Sequence, residues 1–215
     1  MTSYQLFARK LSIGLMLASF FCLVALLLAV PVLAGPDPST PYRATLIREA
    51  QAVHGPDAPV PMFAGQIAQE SSWRANVTAW DNGRGLAQFM DGTTAQVSGL
   101  FPELGPPAPY DPRWSMRALV RYDAWIYKRV QGKDACQRWA AALKGYNAGP
   151  GYVRQAQSKS PDPTTWFGVT EFIPTRQSAT NFEYSRTYPH KILFKHQPKY
   201  NTMGRVMCPQ GVPKP

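Results

Sequence analysis

The chain has 215 residues, of which 45% are hydrophobic and 17% are charged. This composition supports one folded domain of about 150–180 residues with additions at its ends, and it argues against global disorder. The formal net charge of +10 suits a polyanionic partner. Because no run of lysine or arginine resembles a nucleic-acid-binding arm, nucleic acid is not an expected partner.

Residues 1–34 have the features of an export signal. Arg9 and Lys10 precede an uncharged apolar run over residues 11–33, and small residues mark a cleavage site after Ala34. The apolar run is also long enough, at about 20 residues, to span a bilayer, so an uncleaved anchor in the inner membrane is the alternative. In both cases we expect the rest of the chain to be exported to the periplasm, free or anchored.

Helical patterns with terminal signals follow this leader. The sequence STPYRATLIREAQAVHG predicts a helix with Thr40 as its N-cap and Gly55 as its stop. A second helix is predicted over about residues 61–73. The glycine-opened sequence GRGLAQFM predicts one or two helical turns, and DGTTAQVSGLF predicts another helical turn beginning at Thr93 or Thr94.

The second half of the chain carries the clearest helical signals. Asp111 is the expected cap of DPRWSMRALVRYDAWIYKRV, and Asp134 is the expected cap of ACQRWAAALKGY, after which NAGPGYV turns into a short helix. Residues 159–176 have a loop-like pattern, and SATNFEYSRTYPHKILF predicts a last helix that Pro189 must kink or restart. Since no stretch alternates as a strand does, the expected fold class is mainly α, in one domain of short helices.

The expected export bears on whether the two cysteines beyond the leader form a disulfide. An oxidising compartment favours a disulfide between Cys136 and Cys208, which would tie the C-terminal tail to the domain. Two separate buried thiols are the alternative.

Several kinds of catalytic site are disfavoured because their motifs are missing from the sequence. The three histidines show no HExxH or paired spacing, so neither a metal site nor another cofactor is expected. No GxSxG or P-loop pattern occurs, and neither exported cysteine has the context of a nucleophile. Carboxylates remain, and a solvated position is expected for Glu49, Glu103 and Glu171.

Glu70 has different surroundings from these glutamates. Ile67, Ala68 and Trp73 lie close to it in the sequence, and no cation stands three residues away on either side. Burial against an indole would raise the pKa of this carboxyl, which suits a general acid near neutral pH. An ordinary glutamate on a helix surface is the alternative that these neighbours leave open.

Three short motifs occur in order along the chain: Glu70-Ser71, GLAQ at residues 85–88, and YNAG at residues 146–149. Together, in an exported basic helical domain, they make the chain resemble the soluble lytic transglycosylase (SLT) family. That family has a lysozyme-like fold with a saccharide groove and cleaves peptidoglycan. The resemblance covers about residues 42–195.

The resemblance implies roles for the residues that match the family's motifs. Glu70 is the implied catalytic acid, and the implied substrate-binding residues are Ser71, Gln88, Tyr146, Asn147 and Tyr188. Tyr188 matches the family's late tyrosine in order, although an insertion and one extra residue change the spacing before it. The structural alternatives are helix capping for Ser71 and Asn147 and core packing for the two tyrosines.

Two features near the acid depart from the family's pattern. Ala87 stands where the family has methionine, and the loop WDNGRG at residues 80–85 is shorter than usual. We expect both departures to reshape the saccharide groove near the acid rather than to abolish it.

The family's chemistry uses a single carboxyl group. The resemblance implies cleavage of the β-1,4 bond between N-acetylmuramic acid and N-acetylglucosamine, with formation of a 1,6-anhydromuramyl end. A muramidase that hydrolyses the same bond is one alternative, and it would need a second carboxylate, for which Asp81 is the first candidate and Asp91 the next. A wall-binding or assembly protein with an inactive site is the other.

These features divide the chain into a leader (1–34), a catalytic domain (35–197) and a C-terminal extension (198–215). The extension is short and basic, and a partner-docking tail and a stabilising strap are both open interpretations of it. Small exported domains of this kind resemble the wall-opening enzymes of conjugation, secretion and phage systems. Peptidoglycan glycan strands and such a transenvelope machine are therefore the implied partners.

Overall fold

The computed structural model describes residues 35–209 and residue 211. The chain divides into two compact units, Met1–Asp37 and Pro38–Pro215, and only residues 35–37 of the first unit are described. The leader, with its cleavage site and its alternative role as an anchor, therefore lies outside the described residues. Within the described part, no helix is both long and apolar enough to cross a membrane.

The described residues form seven α-helices and no β-strand, so the prediction of a mainly α fold is confirmed. The helices are α1 (Arg43–His54), α2 (Val60–Ser71), α3 (Asp91–Leu100), α4 (Pro112–Tyr127), α5 (Ala135–Ala148), α6 (Pro150–Lys159) and α7 (Ala179–His190). Shorter helical segments are the 3₁₀ turns Pro102–Leu104, Thr170–Phe172 and Gln197–Met203, and the π-helix Lys191–His196.

The predicted helix ends are right where a local side chain or glycine sets them. Asp111 and Asp134 each accept a hydrogen bond from the backbone N–H three residues on, at 2.8 Å, as N-caps do. Gly55 ends α1 with a φ of 77°. The prediction of Thr40 as N-cap of α1 is wrong, because a backbone turn precedes the helix and Tyr42 occupies the cap position without a side-chain cap.

The sequence GRGLAQFM forms a tight turn, so the prediction of a helical turn there is wrong. Arg84 and Phe89 close the turn through two backbone hydrogen bonds of 3.2 Å. Gly85 has a φ of 68°, and a Cβ built on it would lie 1.8 Å from the Pro109 carbonyl oxygen, so only glycine fits this close approach. The next helix, α3, begins at Asp91, earlier than the expected start.

Two glutamates expected on solvated faces are buried, because later elements supply partners that local periodicity does not show. The Glu49 carboxylate faces Arg117 at 3.4 Å and Arg121 at 3.6 Å. Glu171 accepts a hydrogen bond from the Gly168 N–H at 2.7 Å and pairs with His190 at 2.7 Å.

The last helix passes through its proline. α7 includes Pro189 and continues directly into the π-helix Lys191–His196. Because proline has no N–H to donate, one intrahelical hydrogen bond is lost at this point. The helix therefore does not restart at Pro189, and its geometry changes from α to π directly after His190.

Helix α2 lies at the centre of the fold, against α1 and the C-terminal helical segments. The close packing is visible at Gly65, where a Cβ would lie 2.8 Å from the backbone nitrogen of Gln197. Below the end of α2, the Trp73 indole N–H donates to the Tyr200 hydroxyl at 2.8 Å. The C-terminal segment therefore supports the helix that carries Glu70.

The predicted disulfide between Cys136 and Cys208 is present, with a Cα–Cα distance of 5.0 Å. It joins the start of α5 to the chain after the last 3₁₀ turn. The Gln197 side chain, which is 1% exposed, also exchanges two hydrogen bonds of 2.8 and 2.9 Å with the backbone of Met207. These contacts hold the C-terminal segment against the body of the unit.

Candidate active site

Glu70 lies at the C-terminal end of α2, where the chain leaves the helix abruptly. Ser72 and Trp73, which follow two and three residues after Glu70, have φ values of 52° and 64° in the left-handed region. The helix therefore ends directly after Ser71, and the Glu70 side chain lines an open cleft of about 230 Å³. We call this space the catalytic cleft.

The environment of Glu70 favours its protonated form. Burial raises the pKa of the carboxyl to about 7, and the charge of Asp81 raises it as well. The C-terminal end of a helix also carries partial negative charge, which disfavours a carboxylate there. The interpretation of Glu70 as an acid that is protonated near neutral pH is thus consistent with its surroundings.

Tyr188 is the direct partner of this acid. Its hydroxyl donates a hydrogen bond to Glu70 Oε1, and its side chain is 1% exposed. This bond favours the ionised form and so opposes part of the effect of burial on the pKa of Glu70. Burial and the Glu70 charge raise the pKa of Tyr188 well above its usual value, so the phenol remains a neutral donor.

The GLAQ turn forms one wall of the catalytic cleft and is held by two helices. The Tyr146 hydroxyl, on α5, donates to the Ala87 carbonyl at 2.7 Å. The Ser115 hydroxyl, on α4, accepts from the Ala87 N–H at 3.1 Å. Within the turn, the Gln88 amide donates to the Gly85 carbonyl at 2.8 Å, which fixes the Gln88 side chain at the cleft.

The remaining residues of the three motifs occupy different positions. Asn147, in the last turn of α5, lines the catalytic cleft together with Tyr146 and Gln88. Ser71 does not line it: its side chain is 1% exposed, and its hydroxyl donates to the Ile67 carbonyl at 3.3 Å. Five of the six predicted site residues are therefore at the cleft or bonded to Glu70, and Ser71 braces the helix end.

Two exposed aromatic side chains, one from the loop after α2 and one from α7, also line the catalytic cleft and were not predicted from the sequence. Trp80 lines the catalytic cleft and is 97% exposed, and Tyr184 of α7 is 55% exposed on the same cleft. Aromatic faces of this kind are suited to the apolar faces of sugar rings. The sequence did contain a signal for Trp80, which is a large aromatic residue in a polar, glycine-containing loop.

A second buried acid lies behind the catalytic cleft. Asp123, on α4, is fully buried, and burial and the charge of Glu70 raise its pKa well above the usual value. The side chain of Gln66, one helical turn before Glu70, lies beside it and is also fully buried. Burial therefore favours the protonated, uncharged form of Asp123 in the folded protein.

The arrangement is suited to proton transfer at a saccharide. A carboxyl with a pKa of about 7 faces an open cleft, with neutral hydroxyl and amide donors around it. In the part of the chain that the structure describes, no cluster of three histidine, cysteine, aspartate or glutamate side chains is placed to hold a metal ion.

Comparison with known proteins gives matches in sequence and in structure. A profile of the family described as "Transglycosylase SLT domain" matches residues 49–167. Among curated proteins, the membrane-bound lytic murein transglycosylase F of Marinobacter nauticus is 29% identical over 143 residues, which cover 61% of this chain and 27% of that protein.

Two solved structures share the fold. The lytic transglycosylase Slt of Pseudomonas aeruginosa, in an inactive mutant form, matches with a TM-score of 0.60 and 22% identity, over 79% of this chain and 25% of that one. The 70 kDa soluble lytic transglycosylase of Escherichia coli matches with a TM-score of 0.53 and 23% identity, over 74% of this chain and 24% of that one. This chain thus spans about a quarter of the length of each of these three proteins.

Proposed function

The chain belongs to the family of transglycosylase SLT domains, and we propose that it is a peptidoglycan lytic transglycosylase. Its substrate would be the β-1,4 bond between N-acetylmuramic acid and N-acetylglucosamine. The observation that carries this proposal is the Glu70 carboxyl, which faces an open cleft with a pKa raised to about 7 and accepts a hydrogen bond from Tyr188. Residues 35–197 would form the catalytic domain.

In the first step, protonated Glu70 donates its proton to the glycosidic oxygen as the bond from that oxygen to muramyl C1 breaks. Positive charge develops on C1, and the substrate's own acetamido group stabilises it. No nucleophile from the protein is needed for this step, in contrast to glycosidases that use two carboxylates.

In the second step, Glu70, now a carboxylate, accepts the proton of the muramyl C6 hydroxyl. The C6 oxygen bonds to C1, which closes the 1,6-anhydro ring, and Glu70 returns to its protonated form. No water is consumed. Tyr188 suits this step because its hydrogen bond stabilises the carboxylate that exists between the two transfers.

The other residues at the cleft have positioning and binding roles in this proposal. Asn147 and Gln88 line the cleft and offer amide groups to the sugar. Tyr146 holds the GLAQ turn through the Ala87 carbonyl. Ser71 acts through the backbone of the helix end, since its hydroxyl is bonded to the Ile67 carbonyl.

A muramidase is the second candidate, and the position of Asp81 favours it. Asp81 lines the same cleft as Glu70, and its charge acts on the Glu70 carboxyl. It would be the second carboxylate that hydrolysis requires. Asp91 is a weaker choice for this role, because it pairs with Arg84 at 2.6 Å on the surface.

Product analysis distinguishes these candidates. Purified sacculi are incubated with the protein, and the released muropeptides are analysed by mass spectrometry. Transglycosylation predicts 1,6-anhydromuramyl ends, and Glu70→Gln should abolish their release. Reducing ends that depend on Asp81 would establish the muramidase instead. Release that Glu70→Gln leaves unchanged would remove the catalytic role and favour a wall-binding or assembly protein.

The proposed substrate requires that the chain reach the periplasm. Residues 1–34 would direct export, and residues 11–33 would anchor the protein to the inner membrane if they are retained. Local opening of the wall for a transenvelope machine of conjugation, secretion or phage type fits a small exported domain. Fractionation of cells that express the full chain, with and without residues 1–34, tests the location.

A further inference from the structure

A second pocket, of about 650 Å³, adjoins the catalytic cleft. We call it the side pocket. The two spaces share Trp80, Asp81, Asn147 and Tyr184 as lining residues, so a ligand in the cleft can extend into the side pocket without leaving the protein surface. The far wall of the side pocket comes from the segment 176–185, which lies outside the region that matches the family profile.

Arg176 supplies a positive charge to the side pocket. Its backbone N–H donates to Gln155 Oε1 at 2.7 Å, which fixes the chain at this point. Its guanidinium forms no ion pair with any carboxylate of the described residues. Arg186, in contrast, is paired with Glu183 through two hydrogen bonds. Arg176 is therefore available to an anion that enters the pocket.

A second cation lies directly behind the wall of the side pocket. Lys144 is 2% exposed, and its ammonium donates to Gln177 Oε1 at 3.1 Å and to the Ser185 hydroxyl. Both of these neutral partners line the pocket. Within the described residues no carboxylate lies at ion-pair distance from the ammonium.

The charge of Lys144 is thus incompletely compensated in the structure. Burial and the charge of Arg186 lower the pKa of Lys144 to about 8, and Glu183 opposes this only in part. An anion in the side pocket would lie across Gln177 and Ser185 from the ammonium and would offset part of its positive charge without touching it. The carboxylate that does line the pocket, Asp81, stands at the end shared with the catalytic cleft.

The side pocket is therefore positive at the end away from Glu70. In the proposed substrate the sugar rings are neutral, and the anionic groups belong to the lactyl substituent of the muramyl residue. That substituent ends in a free carboxylate or continues into a peptide that carries carboxylates. We propose that the side pocket binds a carboxylate of the muramyl substituent, with Arg176 as its direct partner. This inference rests on the proposed function, because it takes its ligand from the same glycan.

Three ligands of equal saccharide length test the inference on the Glu70→Gln protein, which cannot turn them over. Neutral chito-oligosaccharide has no carboxylate, amidase-treated glycan has the lactyl carboxylate, and peptide-bearing glycan has the peptide carboxylates. Binding is measured by calorimetry and by tryptophan fluorescence at low and high salt. We expect about tenfold tighter binding of an anionic ligand, the size of one charge-assisted hydrogen bond at a partly exposed site.

Arg176→Gln, added to this background, should remove the preference for the anionic ligand, and Arg176→Lys should retain part of it. Arg154→Gln is the matched control, because Arg154 is an exposed arginine on α6 outside the pockets described above. Of the two anionic ligands, the one whose affinity falls in Arg176→Gln shows whether Arg176 binds the lactyl carboxylate or a peptide carboxylate.

The preference should also weaken as salt rises. A preference that survives Arg176→Gln, or equal binding of all three ligands, would refute the side-pocket inference alone. Failure of all three to bind would instead contradict the proposed substrate class.

Discussion

The hydrogen bond from Tyr188 to Glu70 has a measurable consequence for the pH dependence of activity. Tyr188→Phe removes the hydroxyl that donates to Glu70 Oε1 and leaves the ring in its buried position. Because that bond lowers the pKa of Glu70 while burial raises it to about 7, its loss should raise this pKa further. Glu70 then stays protonated to a higher pH, so the alkaline limb of the rate profile moves upward.

The size of the shift follows from the energy of one hydrogen bond to a charged group. Such a bond contributes about 1.5–3 kcal/mol, and about 1.4 kcal/mol corresponds to a displacement of one pH unit. A protonated carboxyl also accepts from a tyrosine, so only part of this energy distinguishes the two forms. We therefore expect the alkaline limb to move by about one pH unit.

The assay is the release of soluble muropeptides from purified sacculi between acidic and alkaline pH, at substrate concentrations that report kcat/KM. Tyr146→Phe is the matched control, because its hydroxyl donates to the Ala87 carbonyl rather than to Glu70. The control should lower the rate without moving the limb. An alkaline limb that stays in place in Tyr188→Phe, or moves downward, would refute the assignment of Glu70 as the titrating acid.

Three further predictions concern stability. Gly85→Ala should cost several kcal/mol in chemical denaturation, because the Cβ has no space and the φ of 68° is strained, whereas Gly92→Ala, in an open position, should change stability little. Replacing Cys136 and Cys208 by serine opens a loop of 72 residues and should lower the free energy of unfolding by about 4 kcal/mol, and a loss close to zero would contradict a stabilising strap. Asp123→Asn should stabilise the protein more at pH 7 than at pH 4. Burial raises the pKa of Asp123 in the folded state, so the folded chain holds this proton more tightly than the unfolded chain, and the wild-type side chain opposes folding as the pH rises above its unfolded pKa. Equal effects of Asp123→Asn at the two pH values would contradict a raised pKa in the folded state.

The elements that the sequence predicted correctly have local causes. Asp111 and Asp134 cap α4 and α5 through backbone groups three residues away. Gly55 ends α1 because glycine adopts a positive φ without strain. The disulfide followed from cysteine number and compartment, without any knowledge of the fold.

The elements that the sequence did not predict depend on distant partners. Glu49 is buried because Arg117 and Arg121 of a later helix face it. The turn at GRGLAQFM depends on the close approach of Gly85 to the Pro109 carbonyl, which no helical pattern expresses. Local periodicity contains no information about such contacts.

The candidate site combines both kinds of cause. The ordered motifs identified Glu70, Gln88, Tyr146 and Asn147 as residues of one site, although they lie far apart in sequence. Motif order alone suggested Tyr188 as a residue of the site, and its bond to Glu70, across 118 residues and an insertion, was not predicted. Asp123 gave no signal, because an aspartate within a helix is normally solvated.

The proposed reaction places opposite demands on Glu70. The group must give its proton to the glycosidic oxygen and then take a proton from the C6 hydroxyl, so neither a strong acid nor a permanently protonated carboxyl can complete both steps. Burial and the charge of Asp81 favour the protonated form, while Tyr188 favours the carboxylate. Asp81 thus acts on Glu70 as a nearby charge, a role that needs no contact with the sugar. A single carboxyl balanced in this way near neutral pH can serve both transfers.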